Sequence, residues 1–374
     1  VKRLAVAALL LTTTLAHADD LHALMRQPTL HADRIVFVSH GNLWQVARTG
    51  GTAARLTADP GQDIMPHFSP DGRWIAFTAS YQGNQDVYVM PAAGGQARRL
   101  TYHSDVVPHA PTRWGPNNMV LTWTPDSKNV VFLTRGAAWN VSVTRAFQVP
   151  LDGGLPTPLP LDSGSLMTYG PDSQSIAYTR WMRDFRTWKR YDGGLAQDVW
   201  TYDFNTKKRE RITDWRGTDT SPMWSGRHIY FLSDHDPSRR RNIWSYDQDN
   251  KQFRQITHFT DYDIEFPTLG DTGIVFQKAD QLYVIDLPSE TIHAIDVTIP
   301  DDGTRTQPRS AKVAADIREE DNAHQTDFAL SPNGERAVFA ARGNIFTVPA
   351  EHGAIRNLTN ASDVDADHPA WSPD

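Results

Sequence analysis

A four-residue phrase returns along this chain: Ser69-Pro70-Asp71-Gly72, Thr124-Pro125-Asp126-Ser127, Gly170-Pro171-Asp172-Ser173, Ser331-Pro332-Asn333-Gly334 and Trp371-Ser372-Pro373-Asp374. Proline presets φ for the first central position of a tight turn, Asp or Asn suits the second, and Gly relieves a left-handed residue before the next strand. An apolar run follows each of the first four copies, as in Trp74-Ile75-Ala76-Phe77, Val130-Val131-Phe132-Leu133, Ile176-Ala177-Tyr178 and Ala337-Val338-Phe339. Such runs predict strands entering a buried sheet. Gly50-Gly51, Gly94-Gly95 and Gly153-Gly154 add a second hairpin signal, because both central residues of that turn take positive φ. Strands ending in Leu-Thr or Ile-Thr close the units at Thr57, Thr101, Thr213, Thr257 and Thr359. The spacings 57 to 101 and 213 to 257 are each 44 residues, the length of one four-stranded propeller blade.

Units counted this way fall at about 28–57, 66–101, 119–161, 166–213, 222–257 and 265–297. The expected fold is therefore all-β: a six-bladed β-propeller of four-stranded blades over residues 19–297. Gln27-Pro28-Thr29-Leu30 can open the first blade and Glu265-Phe266-Pro267-Thr268-Leu269 the sixth, so the ring is expected to close by packing rather than by a shared strand. Residues 298–322, rich in Pro, Asp and Arg with a Glu-Glu-Asp run, read as a linker. The pattern resumes over 323–374 with one blade to Thr359 and the start of another at His368-Pro369-Ala370-Trp371, a second, truncated propeller. With 24 Gly, 24 Pro and no helix-period stretch beyond the first eighteen residues, composition suits many short strands.

Those first eighteen residues differ in kind. Lys2-Arg3 precede an apolar run from Leu4 to Leu15, and Ala16-His17-Ala18 offers a small-x-small cleavage site. This is the pattern of a secretory signal peptide, and the run is too short to span a bilayer. The expected location is periplasmic or secreted, with no membrane insertion after cleavage. The chain has no Cys, which removes disulfides, thiolate metal sites and a Cys nucleophile.

After residue 18 the chain carries 35 Lys and Arg against 44 Asp and Glu, a net charge of −9. That balance argues against a nucleic-acid partner, which needs a dominant basic face. One segment runs the other way. Residues 180–191, Arg-Trp-Met-Arg-Asp-Phe-Arg-Thr-Trp-Lys-Arg-Tyr, interleave five cations with four aromatics and interrupt the fourth blade between two strands. Arg186, Trp188, Lys189, Arg190 and Tyr191 are the candidate binding residues, for a peptide, a carboxylate or a partner domain. The alternative is a long hairpin whose Arg stems cover neighbouring aromatics.

The chain carries few chemical motifs. The chain holds no Gly-x-Ser-x-Gly elbow, no His-Glu-x-x-His and no phosphate-cradling Gly-x-x-x-x-Gly-Lys. Asp363, Asp365 and Asp367 have the spacing that opens a calcium loop, but His368 stands where Gly is needed and Asp374 where a bidentate Glu belongs. No metal or cofactor is expected. Ser238-Arg239-Arg240-Arg241, beside Asp234 and Asp236, reads as a locally paired surface loop.

The repeats resemble those shared by the translocation protein TolB and by tricorn proteases, and differ from WD40 propellers in having no Trp-Asp or Gly-His dipeptide. The order of motifs is similar to tricorn homologues: Gln27-Pro28-Thr29-Leu30 leading to Asp33-Arg34-Ile35-Val36-Phe37-Val38, then Phe185 to Tyr191 with Gly193-Gly194 and Asp198-Val199-Trp200, then Ile345-Phe346-Thr347-Val348-Pro349 with Arg356-Asn357-Leu358-Thr359. That resemblance implies the non-catalytic propeller portion of a serine peptidase, passing peptide substrates to catalytic and PDZ domains of the same chain beyond residue 374, in a homo-hexamer. It also implies basic residues of the first propeller that hold a peptide's C-terminal carboxylate, and the loop after the second blade offers Arg113 for this. Archaeal tricorn is cytoplasmic, the alternative to export. Two other readings remain: a self-contained periplasmic TolB-like binding propeller, and the propeller of a prolyl-oligopeptidase-like enzyme.

Overall fold

The computed structural model describes residues 24–103, 115–137, 143–186, 188–300, 328–360 and 364–373. They form two compact units divided between Pro300 and Asp301. The signal-peptide segment, Arg113 and most of the expected linker lie outside the described residues.

In the first unit the described residues build six four-stranded antiparallel sheets, each from four strands that pair in chain order. The sheets begin at Arg26–His31, Asp63–Phe68, Met119–Trp123, Met167–Tyr169, Asp219–Ser225 and Ile264–Leu269. No helix occurs among the described residues. Six apolar clusters hold the sheets, each joining one sheet to its neighbour, and the last joins Val275, Leu282 and Val284 of the sixth to Ile35, Phe37 and Trp44 of the first. Packing thereby closes the cycle. A short strand pair adds to it: Val297–Thr298 runs parallel to Gly51–Thr52, with the Gly51 amide donating to the Asp296 carbonyl at 2.8 Å. Gly50 is required at this seam, because a Cβ there would meet the Asp296 oxygen at 2.4 Å. Order in the first unit thus runs on through Thr298, one residue into the expected linker.

The repeated phrases acquire physical roles. In the second sheet Ser69 Oγ donates to Asp71 Oδ1 (2.5 Å), Asp71 Oδ1 accepts the Arg73 amide (3.1 Å), and Ser69 Oγ accepts the Trp74 amide (3.0 Å). Thr124 and Asp126 repeat the arrangement, while in the fourth sheet Asp172 alone caps Gln174 and Ser175. The fourth turn position has positive φ at Gly72 (67°) and also at Ser127 (59°) and Ser173 (56°). The closing Thr is a latch. Its Oγ1 accepts the amide of the residue fourteen positions earlier, from Leu43 to Thr57 (2.8 Å), Val87 to Thr101 (2.9 Å), Val199 to Thr213 (3.0 Å) and Ile243 to Thr257 (2.9 Å). The hydroxyl then donates to a carboxylate or amide: Asp63, Asp86 and Asn242 respectively for Thr57, Thr101 and Thr257. In these four sheets a buried backbone donor at the rim is satisfied without a further strand.

Every sheet also places two aromatic residues opposite each other on its second and third strands: Phe37 and Trp44, Phe77 and Tyr88, Phe132 and Phe147, Tyr178 and Trp200, Phe231 and Trp244, Phe276 and Tyr283. Such cross-strand pairs contribute about 0.2–1 kcal/mol relative to an Ala–Ala pair. Phe37, Phe77, Phe132 and Phe276 are fully buried.

The second unit contains one sheet of the same order, Phe328–Leu330, Arg336–Ala341, Asn344–Pro349 and Arg356–Asn357. Ser331 and Asn333 make the turn bonds, Thr359 Oγ1 accepts the Ile345 amide at 3.1 Å, and Phe339 pairs with Phe346.

Candidate functional site

The first strands of all six sheets border one cavity. Each contributes one polar neutral side chain: Gln27, His67, Thr122, Thr168, Ser221 and Thr268, interleaved with apolar residues such as Met65, Leu121, Met223 and Phe266. No Asp, Glu, Lys or Arg is in this lining. His67 belongs to the neutral set: burial pushes its pKa down to about 4, and its Nδ1 lies 3.0 Å from the Met65 carbonyl, which makes Nδ1 the protonated nitrogen of the neutral ring.

The backbone is specialised where it meets this cavity. Pairing slips between Arg26 and Thr29, Ile64 and His67, Val120 and Thr122, Thr220 and Met223, and Glu265 and Thr268, so five of the six strands carry a bulge at the same level. In four of them the bulged residue has left-handed φ and precedes a proline: Gln27 (50°), Met65 (52°), Ser221 (52°) and Phe266 (45°). A bulge removes groups from the ladder and turns the strand locally. The freed groups are used. Gln27 Oε1 accepts the Met65 amide (2.9 Å), Gln277 Oε1 accepts the Gln27 amide (2.6 Å), and Thr268 Oγ1 donates to the Pro28 carbonyl (2.7 Å). In the sequence Gln27-Pro28 and Phe266-Pro267 read as strand openers. The signal for their role was the recurrence of a residue-Pro step, with Met65-Pro66 and Ser221-Pro222, at one level of each unit.

The basic segment is an insertion between the second and third strands of the fourth sheet, Ser175–Thr179 and Val199–Asp203, as expected. It crosses from there to the sixth sheet. Phe185 packs on the cavity-lining Phe266 with ring centroids 5.2 Å apart, and Lys189 Nζ pairs with Glu265 at 2.9 Å. Arg186, Trp188, Lys189, Arg190 and Tyr191 line a single pocket together, which Arg183 and Asp184 also border. Arg113 lies outside the described residues.

The structural reading of the insertion, Arg stems covering aromatics, has a direct counterpart. Guanidinium groups stack on rings, Arg183 on Tyr191 (3.9 Å to the centroid) and Arg186 on Trp188 (5.0 Å), so the segment is rigidified by its own side chains. It also forms a concave charged site. The Ser238–Arg241 turn, read from sequence as a locally paired surface loop, does pair Arg239 with Asp234 at 3.3 Å. Arg239 and Arg241 nevertheless line the pocket, and Arg239 reaches Asp192 at 2.7 Å while Arg241 reaches Glu265 at 2.9 Å. Sequence distance hid this, because the turn and the insertion sit on neighbouring sheets.

Two buried carboxyls stand near the insertion end of the first strands. Burial pushes Asp63 up to about 6 against its bond from Thr57, and pushes Asp219 up to about 7 against bonds from Ser233 and Thr213.

A cycle of four-stranded antiparallel sheets around an axial cavity defines a β-propeller. The chain belongs to the family described as the tricorn protease N-terminal beta propeller domain, whose model matches residues 22–291. It is 28% identical over 326 residues to a tricorn protease homolog of Saccharolobus solfataricus, covering 85% of this chain and 28% of that protein. It is also 28% identical over 330 residues to the tricorn protease of Thermoplasma acidophilum, covering 86% of this chain and 28% of that one. A crystal structure of the tricorn protease superposes with a TM-score of 0.67 at 24% identity, over 91% of this chain and 31% of that chain. The chain thus spans less than a third of the length of these relatives.

Proposed function

We propose that this chain is the non-catalytic propeller portion of a tricorn-like serine peptidase, and that residues 24–300 admit unfolded peptides toward catalytic domains encoded elsewhere in the polypeptide. The observation that carries this reading is the cavity lined by the first strand of all six sheets, with a neutral polar group from each and the insertion lying at one end. A peptide backbone presents amides and carbonyls in every register, and a lining of hydroxyl, amide and imidazole groups without fixed charge can exchange hydrogen bonds with it independently of sequence. Charged side chains would favour some sequences and trap others. Tricorn relatives support association with protease components and a homo-oligomer, and the first eighteen residues support export. N-terminal sequencing of the protein from an extracellular or periplasmic fraction tests the export reading, which an intact leader on a cytoplasmic protein would refute.

The test of passage uses the intact multidomain protein. Thr122→Trp fills the cavity from a position with ordinary backbone geometry. Hydrolysis of peptides of about twenty residues is expected to fall roughly tenfold, and assembly to stay the same. Unchanged turnover of those peptides would show that they take another route.

A further inference from the structure

Two of the polar side chains bordering the axial cavity are held in one orientation, and the main chain of Met65 holds both. The bulge in the second sheet releases Met65 from its ladder at a left-handed φ of 52°. The Met65 amide donates to Gln27 Oε1 at 2.9 Å, and its carbonyl lies 3.0 Å from His67 Nδ1. A side-chain amide that accepts through its oxygen presents its NH2 group elsewhere, so Gln27 Nε2 is a fixed donor. A neutral imidazole that donates from Nδ1 to a carbonyl has a bare second nitrogen, so His67 Nε2 is a fixed acceptor. Gln27 is anchored again at its own amide, which donates to Gln277 Oε1 at 2.6 Å, while Gln277 Nε2 reaches Glu265 at 3.4 Å. Among the described residues neither Gln27 Nε2 nor His67 Nε2 has a hydrogen-bond partner, and neither is sealed from solvent; both residues border the cavity.

The other polar side chains of the lining differ. Thr268 Oγ1 already donates to the Pro28 carbonyl, and the hydroxyls of Thr122 and Ser221 can turn to donate or to accept. A donor and an acceptor oriented in advance match a group that offers one of each, and the N–H and C=O of a single extended residue, which exchange paired bonds with one partner across a ladder, are such a group. We propose, on the reading that peptides enter this cavity, that Gln27 and His67 form a backbone-reading site for one extended peptide residue, its carbonyl accepting from Gln27 Nε2 and its amide donating to His67 Nε2. The pair makes no use of the peptide's side chains and is indifferent to sequence, with one exception. Proline and other N-alkylated residues have no N–H to give His67 and are excluded from the site.

The test is a titration of the 374-residue chain with two fluorescent probes: an acetylated, amidated Gly-Ser repeat of about eight residues, and the same peptide with every backbone nitrogen methylated. The unmethylated peptide is expected to bind about fivefold more tightly, the worth of a hydrogen bond to one N–H. His67→Phe is expected to bring that ratio to about one, and Gln27→Met to weaken both peptides about fivefold while keeping the ratio, since methylation leaves the carbonyls in place. Both variants are compared at an unchanged far-ultraviolet spectrum, and if one does not fold the other carries the test. Equal binding of the two peptides by the wild type, no binding of either, a ratio that persists in His67→Phe, or full binding in Gln27→Met overturns the assignment. Thr122→Trp separates this failure from that of the axial-cavity reading. If it abolishes binding while the Gln27 and His67 variants bind normally, the cavity admits peptides and the pair does not read them; if it changes nothing, peptides bind elsewhere and both fall.

Discussion

The sheet over residues 328–357 and the third sheet of the first unit are written in the same grammar and end in different states. Both have the Ser/Thr-Pro-Asp/Asn turn with its side-chain bonds, and both have an aromatic pair in register, Phe339 with Phe346 and Phe132 with Phe147. Phe132 is fully buried between neighbouring sheets, whereas Phe328 and Leu330 are 51% and 68% exposed and Phe339 is half-buried. Local sequence therefore suffices to specify a four-stranded sheet, and it does not bury one. Burial comes from the next repeat on each face.

This contrast can be broken most severely by isolation. Residues 323–374 expressed alone are expected to show no cooperative melting transition, while residues 19–300 melt cooperatively in calorimetry. A sharp transition in the short piece would mean that one sheet finds enough burial by itself. Next in size, Phe132→Ala should cost about 3–5 kcal/mol of stability in denaturant titrations of the 374-residue chain, from lost transfer energy plus a cavity. Phe339→Ala should cost less than half as much, and equal losses would contradict the difference in burial.

A pH experiment sharpens the comparison within the first unit. The Asp219 pKa is raised to about 7 by burial, so the folded state holds its proton more tightly than the unfolded chain does. The resulting stability is fully present below about pH 4 and is lost as pH rises to about 7, by at most roughly 4 kcal/mol. His67, lowered to about 4, acts in the opposite sense over part of this window, gaining stability as pH rises. The difference between wild type and Asp219→Asn isolates the carboxyl: the variant should gain on the wild type between pH 4 and 7. A constant difference across that window would remove Asp219 as the source. The smallest effect concerns the latch. Thr257→Val leaves the Ile243 amide unpaired in a buried position and removes one of the bonds to Asn242 Oδ1, and should cost about 1–3 kcal/mol, whereas exposed Thr359→Val should cost under about 0.5 kcal/mol. Comparable losses would show that the latch works by geometry independent of burial.

Much of the architecture is legible in the chain because propeller repeats are built from local signals. A turn proline, a left-handed fourth position and a hydroxyl latch fourteen residues from its donor all act within one unit, so Ser69-Pro70-Asp71-Gly72 and Thr101 can be understood from their neighbours in sequence. The candidate site is legible in half. Arg186, Trp188, Lys189, Arg190 and Tyr191 stood out as an insertion of unusual composition. Arg239 and Arg241 did not, since the Asp residues beside them offered a sufficient local explanation, and Arg183 was one cation among five.

The sequence by itself determined the sheet and its turns, because each depends on backbone preferences and contacts within about 45 residues. Tertiary structure alone decided what faces the axis and what is left unpaired. Gln27, Met65, Ser221 and Phe266 become a cavity lining only when the six first strands, five of them bulged, meet at one level. Arg183 loses its water only when the insertion folds toward the fifth and sixth sheets and brings Arg239 and Arg241 into the same pocket lining. Desolvation and the summed field of neighbouring charges are properties of that enclosure, and no single segment carries them.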